Sequence, residues 1–116
     1  MKKILVIDDD ANILEVVQFV LEDEGYEVET SLNGACLQEM NGELPDLILL
    51  DILLSGEDGR EICQLLKGKE LTRHIPVILF SAHFNARKIT AMHGADAFLS
   101  KPFHLNELIS LVKRFI

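Results

Sequence analysis

Lys3-Ile4-Leu5-Val6-Ile7-Asp8-Asp9-Asp10, followed by Ile13, Val16, Val17 and Val20, is the stretch that decides the fold. Four consecutive aliphatic residues after Lys3, three of them β-branched, predict a strand. The apolar spacing i, i+3, i+4, i+7 that follows predicts a helix, and Gly25 supplies a left-handed stop for it. A strand delivered into a helix through three consecutive acids is one β–α unit.

The same unit recurs along the chain. Tyr26-Glu27-Val28-Glu29-Thr30 alternates polar and apolar, the mark of a half-exposed strand, and a helix is expected over about 34–41, ending near Gly42. Asp46-Leu47-Ile48-Leu49-Leu50 reads as a continuous apolar strand, followed by a helix over about 59–67 with Ile62, Leu65 and Leu66 on one face. Pro76-Val77-Ile78-Leu79-Phe80 is a fourth strand, and a helix over about 86–93 ends at Gly94. Ala97-Phe98-Leu99 is a short fifth strand, and the last helix buries Leu105, Leu108, Ile109 and Val112. Five β–α units in series require an α/β, doubly wound, five-stranded parallel sheet with helices on both faces. The first, third and fourth strands are apolar throughout and belong in the middle; the alternating second strand suits an edge. This favours the order 2-1-3-4-5, although the pattern alone leaves other doubly wound orders open.

Composition narrows the function. The 116 residues read as a single domain, 1–116, with 48% hydrophobic residues. The longest apolar runs, such as 4–7 and 47–50, are four residues long, against about twenty for a membrane span. No secretory signal pattern opens the chain, so a cytoplasmic protein without membrane partners is expected. A net charge of −8 disfavours phosphate backbones and argues against direct nucleic-acid contact. It suits a domain that binds metal cations or docks on proteins. The two cysteines, Cys36 and Cys63, fall in helical segments and are expected to be reduced and packed.

In an open parallel sheet the ligand crevice lies beyond the carboxyl ends of the strands. Strand one runs into Asp8-Asp9-Asp10, strand three into Asp51, strand four into Ser81, and strand five, after Ser100, into Lys101-Pro102. Four strands thus deliver carboxylates, a hydroxyl and an ammonium to one edge. One of the three acids, Asp10, is expected to cap the first helix. The remaining carboxylates would repel one another by roughly 4 kcal/mol per close pair at about 4 Å. A hard cation such as Mg2+ relieves this, and Lys101 adds one more positive charge. Asp51 lies on a different strand from the acidic pair, so it can act as a nucleophile towards a phosphoryl group, giving an aspartyl phosphate. Ser81 can then donate to a phosphoryl oxygen.

With these residues in place, the chain resembles the response-regulator receiver domains of two-component signal transduction over nearly its whole length. The resemblance rests on Ile4-Leu5-Val6-Ile7-Asp8-Asp9-Asp10, Pro45-Asp46-Leu47-Ile48-Leu49-Leu50-Asp51, Asp58-Gly59, Ser81-Ala82 and Gly94-Ala95-Asp96-Ala97-Phe98-Leu99-Ser100-Lys101-Pro102-Phe103. It implies that Asp51 is the phosphoacceptor and that Mg2+ is held by Asp8, Asp9, Asp51 and the backbone carbonyl of Leu53, with Asp9 the more direct ligand of the pair. It implies further that Ser81 is the switch hydroxyl, Lys101 the phosphoryl-binding lysine, Phe98 an aromatic that turns inward on activation, and Lys101-Pro102 a cis bond. The implied partners are a sensor histidine kinase or phosphotransfer protein upstream and an effector protein or domain downstream. The effector would read the face made by the fourth helix, fifth strand and fifth helix.

Three departures stand out. Ser55 occupies a place where the family usually has Pro, which is expected to loosen that loop without affecting the chemistry. The segment between Ala82 and Gly94 is short, and His104 stands where a better helix cap is usual. His74, His83, His93 and His104 show no metal-ligand spacing; His83, two positions past Ser81, could shade a phosphoryl group from water. A switch that turns over no external substrate is therefore expected. The alternative is a small metal-dependent phosphatase using the same Asp nucleophile, as in haloacid-dehalogenase-type enzymes; but those place the nucleophile after the first strand and carry a cap. A nucleotide or flavin binder is disfavoured, because Asp8-Asp9-Asp10 would repel phosphate where such sites offer Gly-rich loops.

Overall fold

The structure is a computed structural model that describes residues 1–39, 43–82 and 94–116. Strand β1 (Lys3–Ile7) leads into helix α1 (Ala11–Asp23), then β2 (Glu27–Ser31) and a 3-10 helix (Gly34–Glu39). Strand β3 (Leu47–Asp51) is followed by a two-stranded ribbon, β4 (Leu53–Leu54) and β5 (Glu57–Asp58), and by helix α2 (Gly59–Gly68). Strands β6 (Val77–Ser81) and β7 (Ala97–Ser100) precede the last helix, α3 (Leu105–Phe115).

The main sheet is parallel, in the order β2-β1-β3-β6-β7, the equivalent of the expected 2-1-3-4-5. The small antiparallel ribbon β4-β5 was not anticipated. The helix expected over about 86–93 lies outside the described residues, as do His83 and His93. The expected helix over 34–41 is a 3-10 helix over Gly34–Glu39.

Continuous apolar strands feed two separate cores, because successive side chains point to opposite faces. On one face Ile4, Val6, Leu47, Leu49, Ile78, Phe80 and Leu99 pack with Leu14, Val17 and Leu21 of α1 and Leu108 and Val112 of α3. On the other, Leu5, Ile7, Ile48, Leu50, Val77 and Leu79 pack with Cys63 and Leu66 of α2. In β2 only Val28 is buried, as befits an edge.

The helices are rotated relative to the sequence-based stripes. In α1 the buried residues are Leu14, Val17 and Leu21, while Val16 is half exposed. In α2, Cys63 and Leu66 are buried and Leu65 is exposed; in α3, Leu108 and Val112 are buried and Leu105 is nearly half exposed. Each helix carries an apolar arc wider than one stripe, and its rotation is set by the groove it fills on the sheet.

Helix α1 ends as Gly25 predicts. Gly25 has φ +95°, its N–H donates to the Glu22 carbonyl at 3.0 Å, and the Tyr26 N–H reaches the Leu21 carbonyl at 3.2 Å. This is a Schellman closure. Lys67 ties α2 to two strands: its Nζ donates to the carbonyls of Arg73 (3.3 Å) and Ile75 (2.8 Å) and to Asp96 Oδ2 (2.8 Å). Asp96 Oδ2 also accepts from the Val77 N–H at 2.8 Å, so one knot pins the starts of β6 and β7. At the start of α3, the Glu107 carboxylate accepts from the His104 N–H at 3.2 Å and supplies one half of a capping box.

Candidate phosphoryl-acceptor and metal site

Strands β1 and β3 run side by side in register, Ile7 opposite Leu50, so the residues just past them emerge together at the carboxyl rim of the sheet. Asp8 and Asp51 are both buried there, with 0% and 4% exposure, while Asp9 is exposed. Carboxylate oxygens of Asp8, Asp9 and Asp51 all lie within 4.8 Å of one another. The cluster reaches solvent on the Asp9 side. Asp10 does what its position suggests: it is the N-cap of α1, and its Oδ1 accepts from the Asn12 N–H at 2.9 Å.

Lys101 closes the other side. Its Nζ is 2.7 Å from Asp8 Oδ2 and 3.4 Å from Asp51 Oδ2, and it lies 4.7 Å from the centre of the Phe80 ring. The backbone places it there: Ser81 pairs with Ser100, and the Lys101 N–H donates to the Ser81 carbonyl at 2.9 Å. The Lys101-Pro102 bond is cis, as the resemblance implied. Asp8 Oδ1 accepts from the Asp10 N–H at 2.8 Å, and Asp51 Oδ1 from the Leu53 N–H at 3.4 Å.

One ammonium cannot neutralise three carboxylates. Burial, and then the charge of Asp8, push the Asp51 carboxyl up to about 6, against the opposing pull of Lys101 and the Leu53 N–H. Hard oxygen donors with an excess of negative charge fit a small divalent cation, and a protonated Asp51 is the other way to relieve the crowding.

The remaining expected residues are placed less directly. Ser81 is buried at the end of β6, one residue past Phe80, the register partner of Asp51. Phe98 lies in β7 opposite Leu79, half-buried against the core that contains α2. The Leu53 side chain is exposed.

Two site residues escaped the sequence reading. In the sequence Gly59 stands out only as part of the pair Asp58-Gly59. A Cβ there would lie 2.1 Å from the Asp51 carbonyl oxygen and 2.9 Å from the Ile52 Cα, so only glycine lets α2 start against the end of β3. The Gly59 N–H seals this approach with a 2.8 Å bond to the Ile52 carbonyl. Ser55, expected to loosen its loop without affecting the chemistry, makes a contact with a site residue: its hydroxyl donates to Asp9 Oδ2 at 3.0 Å across 46 positions of chain. A hydroxyl two residues past Leu53 gave no local pattern from which that contact could be read.

The match to known proteins agrees with this geometry. The model of the response regulator receiver domain family matches residues 4–113. The chain is 38% identical over 115 residues to the phosphate regulon transcriptional regulatory protein PhoB of Klebsiella pneumoniae, covering 97% of this chain and 50% of that protein. It is 39% identical over 119 residues to the DNA-binding dual master transcriptional regulator RpaA of a Synechocystis strain, covering 100% of this chain and 49% of that protein. The chain thus spans about half the length of these curated relatives. Among solved structures, the response regulator protein TrrA of Thermotoga maritima, in complex with Mg(2+)-BeF, superposes with a TM-score of 0.89 at 34% identity, with 100% of both chains covered. The sheet order, the acidic rim and the family match lead to one conclusion: the chain belongs to the response regulator receiver domains of two-component signalling.

Proposed function

We propose that the chain is a phosphorylation switch whose acceptor is Asp51. The observation that carries this reading is the meeting of Asp51 with Asp8, Asp9 and Lys101 at the sheet rim, with carboxylate oxygens within 4.8 Å and the ammonium 3.4 Å from Asp51 Oδ2. A carboxylate oxygen of Asp51 attacks the phosphorus of a phosphohistidine on a sensor kinase or phosphotransfer protein, and the imidazole leaves. Lys101 moves its charge towards the incoming oxygens, and Ser81 donates a hydrogen bond to one of them.

Asp8, Asp9, Asp51 and the Leu53 carbonyl are the groups that would hold Mg2+, whose charge would offset that of the phosphoryl oxygens. The donor set supports this: oxygen ligands only, more acid than one lysine can balance. TrrA, similar over its whole length, is described in complex with Mg(2+)-BeF.

Phosphorylation of Asp51 at the rim would bias a two-state equilibrium through Ser81 and Phe98 and alter the face around β7 and α3, to which the fourth-helix segment would contribute. An effector protein or domain would read that face. RpaA is described as DNA-binding and is twice as long; the −8 charge of this chain supports a role for this part in protein docking, with no nucleic acid of its own. We place the protein in the cytoplasm, as a switch without an external substrate. Among the described residues no helix is long and apolar enough to cross a membrane.

Beryllofluoride with Mg2+ tests the reading. Amide resonances of Ser81 and Phe98 are expected to shift in the wild type and to stay unchanged in Asp51→Asn. Unshifted wild-type resonances would overturn it, and turnover of simple phosphate monoesters would favour the phosphatase reading instead.

A further inference from the structure

The β4-β5 ribbon touches two of the three clustered acids. At its first residue the Leu53 N–H donates to Asp51 Oδ1, and at its turn the Ser55 hydroxyl donates to Asp9 Oδ2 at 3.0 Å. The ribbon is itself held firmly. Leu54 pairs with Glu57, so Ser55 and Gly56 form a two-residue turn, with Gly56 at φ +74°. The Ile52 N–H is bonded to the Phe80 carbonyl at 3.1 Å, and Gly59 is packed on the Asp51 carbonyl.

Asp9 needs such a contact more than its neighbours do. Asp8 and Asp51 are buried and share Lys101. Asp9 is exposed and, among the described residues, has no ion pair; Ser55 provides its hydrogen bond from another part of the chain. An exposed carboxylate at the head of a helix otherwise rotates among several rotamers, and a cation must select one of them at an entropic cost.

We propose that Ser55 is a positioning residue for divalent-cation binding: its hydroxyl holds the Asp9 carboxylate at the mouth of the cluster, leaving the other oxygen to face the metal. This rests on the functional reading above. A hydrogen-bond donor on the second oxygen of a ligating carboxylate fixes its orientation before the ion arrives. Proline, which the family usually carries here, has no hydroxyl to do this.

The test is a Mg2+ titration of the full chain, followed by amide resonances, for wild type, Ser55→Ala and Ser55→Thr. Loss of such an outer contact on an exposed ligand is expected to raise the Kd about three- to tenfold in the alanine variant, at or below the lower end of the roughly 10–100-fold span typical of such contacts, because solvent competes for an exposed carboxylate. Threonine keeps the hydroxyl and should bind within about twofold of wild type. Melting temperatures in EDTA should be alike in all three, because the side chain is exposed. Equal or tighter binding by Ser55→Ala, or no rescue by threonine, overturns the assignment while leaving the switch reading intact. A wild type that takes no Mg2+ overturns both.

Discussion

Asp8 Oδ2 and Lys101 Nζ, 93 positions apart in the chain, lie 2.7 Å from one another, and the Asp8 side chain is completely buried. The ion pair joins the end of β1 to the residue after β7 and carries the ammonium to within 3.4 Å of Asp51. Replacing Lys101 with Met therefore strands a buried charge. The metal-free protein should lose about 3 kcal/mol at neutral pH, as expected when one member of a buried pair is removed. Urea unfolding in EDTA measures this, and added Mg2+ should recover part of the loss.

Asp51 gives the metal-free protein a pH dependence of defined sign. Its carboxyl is raised from 3.8 to about 6 by burial and by Asp8, so the folded state holds its proton more tightly than the unfolded chain. The cost of ionising it is absent below about pH 4, grows through the window up to 6, and is complete above it. In EDTA, Asp51→Asn should be more stable than wild type at pH 7.5 by on the order of 2 kcal/mol, with the difference gone near pH 4. A constant difference across that range would contradict the mechanism.

Gly59→Ala tests the close approach of α2 to β3. Its methyl would meet the Asp51 carbonyl and the Ile52 Cα, both backbone, which have no rotamer to move. A loss of about 3 kcal/mol is expected, together with shifted Asp51 and Ile52 resonances. Gly68, where a Cβ meets nothing within 4 Å, is the control: Gly68→Ala should not destabilise the protein.

Lys67→Met removes three hydrogen bonds made by one ammonium at the junction of α2, β6 and β7. Asp96 keeps its bond from Val77, so the expected cost is about 2 kcal/mol. Denaturant midpoints at an unchanged m-value check it.

The two thiols should differ sharply. Cys63 is fully buried, and burial pushes its thiol up to about 11, leaving about one thiolate in a thousand at pH 8. Cys36 is partly exposed in the 3-10 helix. One equivalent of a thiol reagent should react with the native protein, at Cys36, and the second only on unfolding.

How much of this was legible beforehand depends on the range of the interaction. Asp10 could be read as a cap and Gly25 as a stop because each acts on backbone within a few residues. The rotation of α1 could not: Ile13, Leu14, Val16, Val17, Val20 and Leu21 make a broad apolar arc, and the groove over β1 and β2 selected Leu14, Val17 and Leu21.

The sequence by itself determined a doubly wound sheet and the convergence of Asp8, Asp9, Asp51 and Lys101 on one rim. Side-chain alternation and the direction of parallel strands are local and periodic, and they leave little freedom once five β–α units are counted. Only the tertiary structure decided that Gly59 must lack a side chain and that Ser55 reaches Asp9. Those contacts depend on fractions of an ångström between segments brought together by packing, and no residue pattern encodes such distances.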